Sequence, residues 1–300
     1  MGVSRRTVVI GAALVGAAGG LGGWALLADL RLVPGRGVVD QVLGRCRLDA
    51  QPAEADPGIL IRSSFYSRHR DQSVGYMLAY PPGVAGGARL PVCLVLHGAG
   101  EDERAAFEIL ALHRLLAALD VPPCVLATVD GGADGYWHPR ASGDDPLGML
   151  LEDFPTVLRQ HGLPVDRFGL LGWSMGGYGA LVAASEAADR FVAVAASAPA
   201  LWRSYDEAKA ANPAAFDSLD DWLTWGDMRR RTAALADVPI RIDCGESDPF
   251  APALMSLRER LPESASVHLT RGCHDTAYWR SVAPEQLAMI ATALTPPKDS

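Results

Sequence analysis

The 300-residue chain is short of the residues that would mark several functional classes. Its five cysteines, Cys46, Cys93, Cys124, Cys244 and Cys273, form neither a C-x-x-C pair nor a Cys/His zinc spacing, so no metal site is expected. Lys and Arg number 27 against 35 Asp and Glu, a net charge of −8. With no basic stripe and no RNA-binding aromatic signature, nucleic acid is excluded as a partner. Internal repeats and low-complexity tracts are also missing. What remains, 49% apolar and 21% charged, is an ordinary globular composition with a sizeable core.

Residues 1–30 stand apart from the rest. Arg5-Arg6 precede a weakly hydrophobic Gly- and Ala-rich stretch from Val8 to Leu27. This resembles a twin-arginine export signal, although about 20 apolar residues also suffice for a membrane anchor. Ala28 offers only a poor small-x-small cleavage site, so cleaved and tethered forms both stay open. Residues 31–57 are polar and proline-dotted and read as a linker, leaving 58–300 as one domain. Export implies an oxidising compartment, in which disulfides persist. An odd cysteine count leaves at least one unpaired within the chain.

Two alternating stretches, Ile59–Ser64 and Ser73–Tyr80, predict an antiparallel opening pair. Short apolar strands then alternate with helical patterns. Strands are expected at Pro91–Leu96, Val125–Val129, Phe168–Leu171, Phe191–Ser197, Pro239–Cys244 and Ser266–Leu269. Helices are expected at Arg104–Leu119, Met149–His161, Tyr178–Ala187 and Pro284–Leu294. This alternation means a mostly parallel α/β sheet covered by helices on both faces, with functional residues at the carboxyl ends of its strands.

The sequence Gly172-Trp-Ser-Met-Gly-Gly-Tyr-Gly-Ala180 follows one of those strand ends. A serine in Gly-x-Ser-x-Gly at a strand-to-helix corner is held in a strained conformation with its hydroxyl aimed above the sheet. Gly172 and Gly176 keep the corner free of side-chain collisions. Alone the motif is common; between a buried strand and a helix it marks Ser174 as a nucleophile. A serine hydroxyl needs a general base. Among seven histidines, His274 lies in a loop after the last strand, where such a base belongs. His69, His113 and His161 read as surface residues, and His268 as a structural strand residue. The carboxylate that orients the base is Asp248, with Glu246 the runner-up on the same loop. The order Ser174, Asp248, His274 is the one expected of this architecture.

Developing negative charge on the substrate oxygen needs backbone donors. One is the N–H of Met175; the other comes from His97-Gly98-Ala99-Gly100, with Ala99 or Gly100 the candidates. His97 is read as orienting that loop. Cys244 and Cys273 each precede a residue assigned to catalysis, so a bond between them is one possibility and two buried thiols the other.

Leu94–Gly98, Gly172–Gly177, Asp248-Pro249-Phe250 and Gly272-Cys273-His274-Asp275 with Tyr278-Trp279 together resemble the esterase D / antigen 85 branch of the α/β-hydrolases. The resemblance runs from about Ser73 to Leu294. It implies an α/β-hydrolase fold without a large lid domain, the same Ser174, Asp248 and His274, and an acyl-enzyme route to carboxylester hydrolysis or acyl transfer, without a cofactor. Antigen 85 mycolyltransferases carry aspartate in place of His97 and serine in place of Asp275, departures that favour a general esterase. Cytosolic esterase D relatives act on S-formylglutathione, which an exported enzyme would not meet. A small-molecule or lipid ester is the expected partner. A catalytically silent binding protein is the rival from another class.

Two segments are candidate substrate walls. The loop from Asp130 to Pro146 follows a strand end, so Tyr136 and Trp137 are candidate substrate contacts, against a plain self-bonded loop. His138 and Arg140 are expected to hold it through Asp144 or Asp145. Between Trp202 and Pro239, an insertion carries Phe216, Trp222, Trp225 and Met228. Trp225 is its candidate contact, and core packing is the alternative.

Overall fold

A computed structural model describes Asp40 and residues 46–295; the expected signal or anchor and most of the linker lie outside them. Eight strands form one sheet in the order β1-β2-β4-β3-β5-β6-β7-β8. They are β1 (Ile59–Ser67), β2 (Gln72–Tyr80), β3 (Val92–Leu96), β4 (Val125–Val129), β5 (Phe168–Trp173), β6 (Phe191–Ser197), β7 (Ile240–Gly245) and β8 (Ala265–Thr270). β1 and β2 pair antiparallel, β2 joins β4 antiparallel, and every pairing from β4 through β3 to β8 is parallel.

The parallel strands are apolar without alternation because both their faces are covered. Along β3, Val92, Leu94 and Leu96 enter one core, while Cys93 and Val95 enter the other. The first core is closed by α3 (Phe154–Gln160) and α4 (Met175–Glu186). The second is closed by α1 (Ala105–Glu108), α2 (Leu112–Ala118) and α7 (Thr276–Leu294). Two further helices, α5 (Tyr205–Ala211) and α6 (Ala251–Arg258), lie nearer the site.

Three of the expected helices depart most from their expected bounds, each for a local reason. The pattern over 104–119 breaks into α1 and α2 because Ala111 takes a left-handed conformation, φ 54°. The helix expected from Met149 starts at Pro146 and passes through a π-turn, Met149–Asp153, ahead of Pro155. Proline has no N–H to give and its ring crowds the preceding turn, so a wider turn fits there. The closing helix begins at Thr276, capped by the Asp275 side chain accepting from the Tyr278 amide at 2.9 Å, and runs through Pro284.

The expected histidine placements hold only in part. His113 is buried in α2, edge-on to Phe107. His69 sits partly exposed between Asp145 and Glu152, and His161 bonds the Tyr76 hydroxyl.

The cysteines also differ from expectation. Cys273 is bonded to Cys46, with Cα atoms 5.2 Å apart, while Cys244 is a free buried thiol. The pairing of Cys244 with Cys273 is therefore incorrect. Part of the presumed linker is fastened to the domain.

Candidate active site

The turn from β5 into α4 is built on two glycines. A Cβ on Gly172 would lie 2.2 Å from the Gly176 carbonyl oxygen, and one on Gly176 would lie 2.1 Å from that of Leu96. No side chain fits at either place. Between them Ser174 is forced to φ 54°, ψ −119°, a region that L-residues rarely occupy. The strain is held by its neighbours: the Ser174 amide donates to Ser197, and its carbonyl accepts from Ala200 and Tyr178.

Two loops at the carboxyl ends of β7 and β8 meet this turn. They are joined to each other, since the Ser247 amide donates to the Gly272 carbonyl at 3.0 Å and the Glu246 amide to Thr270 at 2.8 Å. The junction places His274 Nδ1 2.7 Å from Asp248 Oδ2 and His274 Nε2 2.9 Å from Ser174 Oγ. A carboxylate can only accept, so Nδ1 carries the proton and Nε2 presents its lone pair to the serine. Asp248 is buried, and its other oxygen accepts from the Phe250 amide. Glu246, the alternative acid, is exposed. A serine, a correctly tautomerised imidazole and a buried carboxylate in this order can form and break an acyl bond.

The loop after β3 has its polar groups nearly all committed. The Gly98 amide donates to Glu101 at 2.8 Å and the Gly100 amide to the Ala133 carbonyl at 2.8 Å. The Gly100 N–H is thus occupied and does not face substrate, which corrects one of the two candidates. His97 donates from Nδ1 to the Gly98 carbonyl at 2.9 Å, while its Nε2 accepts from the Gly131 amide at 2.9 Å. That carbonyl belongs to the same peptide unit as the Ala99 N–H, so the ring fixes the direction of this donor. The Ala99 amide has no acceptor among the described residues. The Met175 amide opens α4, where no intrahelical acceptor exists. Asp130 lies beside His97. Burial alone would raise its pKa, but the Gly132 amide, which donates to it, and the nearby Arg70 charge hold it below the usual carboxylate range.

Tyr136 and Trp137 are not positioned as substrate contacts. Both are buried. The Trp137 ring is wedged between Gly131 and Gly179, whose added Cβ atoms would lie within 2.6 Å and 2.4 Å of it, and its Nε1–H donates to the His97 carbonyl. Tyr136 packs against Tyr178, Trp202 and Phe216 and bonds Asn212. Trp225 is half-buried between the His138 ring and the Arg231 guanidinium, 4.6 Å from its centroid. The loop from 130 to 146 closes on itself through the Arg140 amide, which donates to the Asp144 carbonyl, and the Arg140 guanidinium, which donates to the Asp134 carbonyl, and it is tied to its surroundings by pairs other than those expected. Arg140 pairs with Asp217, Asp144 with Arg70, and His138 faces the Ala215 and Pro139 carbonyls.

The aromatics beside the reacting groups are different ones. Phe250 and Trp279 each stand edge-on to His274, with centroids 5.1 Å and 5.2 Å away, and Trp202 meets Phe250 at 5.3 Å. Phe250 lies two residues after Asp248 and Trp279 five after His274, a proximity in sequence that could have flagged them.

The profile of the family described as "Putative esterase" matches residues 67–290. No curated protein sequence matches significantly. Among solved structures, a ferulic acid esterase superposes with TM-score 0.65 at 19% identity, covering 79% of this chain and 98% of that one. An S-formylglutathione hydrolase from Agrobacterium tumefaciens gives TM-score 0.62 at 20% identity over 82% and 99%. MPT51 of Mycobacterium tuberculosis gives 0.64 at 14% identity over 79% and 100%. At these identities the likeness is one of fold.

Proposed function

The chain belongs to this esterase family, an α/β-hydrolase of the serine carboxylic ester hydrolase class, and from that premise we propose that it cleaves carboxylic esters through an acyl-enzyme on Ser174. His274 takes the Ser174 proton as the hydroxyl attacks the ester carbonyl, and Asp248 holds the imidazole and stabilises its cation. The amides of Met175 and Ala99 receive the charge that grows on the carbonyl oxygen. His274 then returns the proton to the leaving alcohol, and water repeats the sequence to release the acid. The half-buried Phe250 and Trp202, extending from His274, form the aromatic wall against which the ester lies. The observation that carries this reading is the continuous relay of 2.9 Å and 2.7 Å from Ser174 through His274 to Asp248.

The enzyme acts outside the cytoplasm. Support comes from the paired arginines near the N-terminus and from the Cys46–Cys273 disulfide, a bond that persists in oxidising compartments. Hydrolysis is favoured over acyl transfer because His97 and Asp275, the positions that depart from the mycolyltransferase pattern, are both structurally engaged. His97 orients the Ala99 peptide and Asp275 caps α7.

Hydrolysis of p-nitrophenyl esters from acetate to palmitate by a form lacking residues 1–30, beside Ser174→Ala, tests the reading. Turnover abolished by the substitution supports it, and the preferred chain length sizes the acyl pocket. Folded protein inert towards every ester, but active once an alcohol acceptor is added, would assign acyl transfer instead.

A further inference from the structure

The oxyanion loop has little to hold it by packing. Ala99 and Gly100 are exposed, and Gly100 takes φ 75°. Its position therefore depends on hydrogen bonds, and one side chain stands at their centre. Glu101 Oε2 accepts both the Gly98 amide, at 2.8 Å, and the Trp173 indole N–H, at 2.9 Å. Gly98 adjoins Ala99, and Trp173 adjoins Ser174. One carboxylate oxygen thus links the loop bearing the second oxyanion donor to the strand bearing the nucleophile. The approach is tight, for a Cβ on Gly98 would stand 3.1 Å from both Glu101 Oε2 and Trp173 Nε1. Trp173 is fully buried and meets Trp279, which in turn packs on His274.

We propose that Glu101 is a positioning residue for ester cleavage, fixing the Ala99 amide relative to Ser174 through its two hydrogen bonds. The proposal rests on the roles given above to Ala99 and Ser174. A negative charge so near a developing oxyanion opposes catalysis electrostatically. What the carboxylate contributes is therefore an acceptor in the right place, and a neutral acceptor of the same reach should serve. An oxyanion donor works only when it meets the transition-state oxygen at hydrogen-bond distance, so a small drift of the loop lowers kcat and leaves ground-state binding almost untouched.

The test compares Glu101→Ala, Glu101→Gln and Trp173→Phe with wild type. The readouts are kcat and KM on a p-nitrophenyl ester, the rate of Ser174 labelling by a fluorophosphonate, and thermal melting. Glu101→Ala should lower kcat and labelling together, roughly 10- to 100-fold, with KM within about threefold of wild type. Glu101→Gln should stay within about threefold in every readout, and Trp173→Phe should fall between. Unchanged kcat in a folded Glu101→Ala protein overturns the proposal, as does a loss confined to KM, or Gln as poor as Ala. If Glu101→Ala does not fold, Trp173→Phe carries the test, and unchanged kcat there is equally fatal. Wild type that neither hydrolyses esters nor takes the label defeats the underlying reading and the proposal with it; active wild type with an unaffected Glu101→Ala defeats the proposal alone.

Discussion

Cys46 is bonded to Cys273, the residue immediately before His274. On the neighbouring loop, Ser247, one residue before Asp248, bonds Asp40 from the same N-terminal stretch. Both attachments therefore sit one residue from a member of the proposed relay. The bond joins positions 227 residues apart, a long loop whose closure restricts the unfolded chain strongly. Reduction, or Cys46→Ser, is expected to cost about 2–4 kcal/mol of stability. It should also lower kcat more than it raises KM, because the loop carrying His274 loses its tie. Melting and ester turnover with and without dithiothreitol check this. Cys244 should remain unmodified by thiol reagents in the folded protein, since burial, with Asp248 and Asp243 nearby, pushes its thiol far above the usual range.

Asp248 rather than Glu246 faces His274 Nδ1, and the two carboxylates offer a paired test. Asp248→Asn keeps the shape but presents an amide that favours the wrong imidazole tautomer. Ester kcat is expected to fall roughly 10³- to 10⁴-fold. Glu246→Gln, at an exposed position, should change kcat by less than about twofold. Equal effects from the two substitutions would show that the buried contact does not orient the base.

Trp137 supplies packing where the sequence suggested a substrate contact. Its ring fills the space between Gly131 and Gly179 and its N–H bonds the His97 carbonyl. Trp137→Ala is expected to cost about 3–5 kcal/mol, as large aromatic truncations in cores do. Any loss of activity should accompany unfolding, with the preference among acyl chain lengths unchanged. Phe250→Ala should do the reverse, altering chain-length preference and KM with less effect on the melting temperature.

The strand alternation, the order Ser174–Asp248–His274 and the two glycines of the turn were all legible in the sequence, because each is dictated by local chemistry: periodicity, chain order and a backbone that admits no Cβ. The substrate wall was not. A strand end in front of Tyr136 and Trp137 correctly indicated nearness to the site. It could not reveal that Gly131 and Gly179, 48 residues apart in sequence, open a slot that draws the Trp137 ring inward. The partner of Cys273 was not legible for a similar reason. Cys244 lies near the end of β7 and Cys273 in the loop that follows the neighbouring β8, but the partner of Cys273 arrives from a polar stretch without periodicity. The choice between Ala99 and Gly100 likewise depended on Ala133, a residue in another loop, taking one of the two amides.

His113 gives the domain a pH dependence separate from catalysis. Burial in α2, with the Arg114 charge a lesser cause, lowers its pKa from 6.5 to about 4, and its Nδ1 has no hydrogen-bond partner among the described residues. The folded protein thus declines a proton that the unfolded chain accepts. Its contribution to stability is complete above about pH 6.5 and is lost as the pH falls towards about 4, by about 3 kcal/mol over that window. Urea unfolding between pH 4 and 7 measures this. In His113→Phe, which keeps the edge contact with Phe107 and removes the titrating group, the slope over that range should diminish by about one proton. An unchanged slope would mean that the acid sensitivity of the fold arises elsewhere.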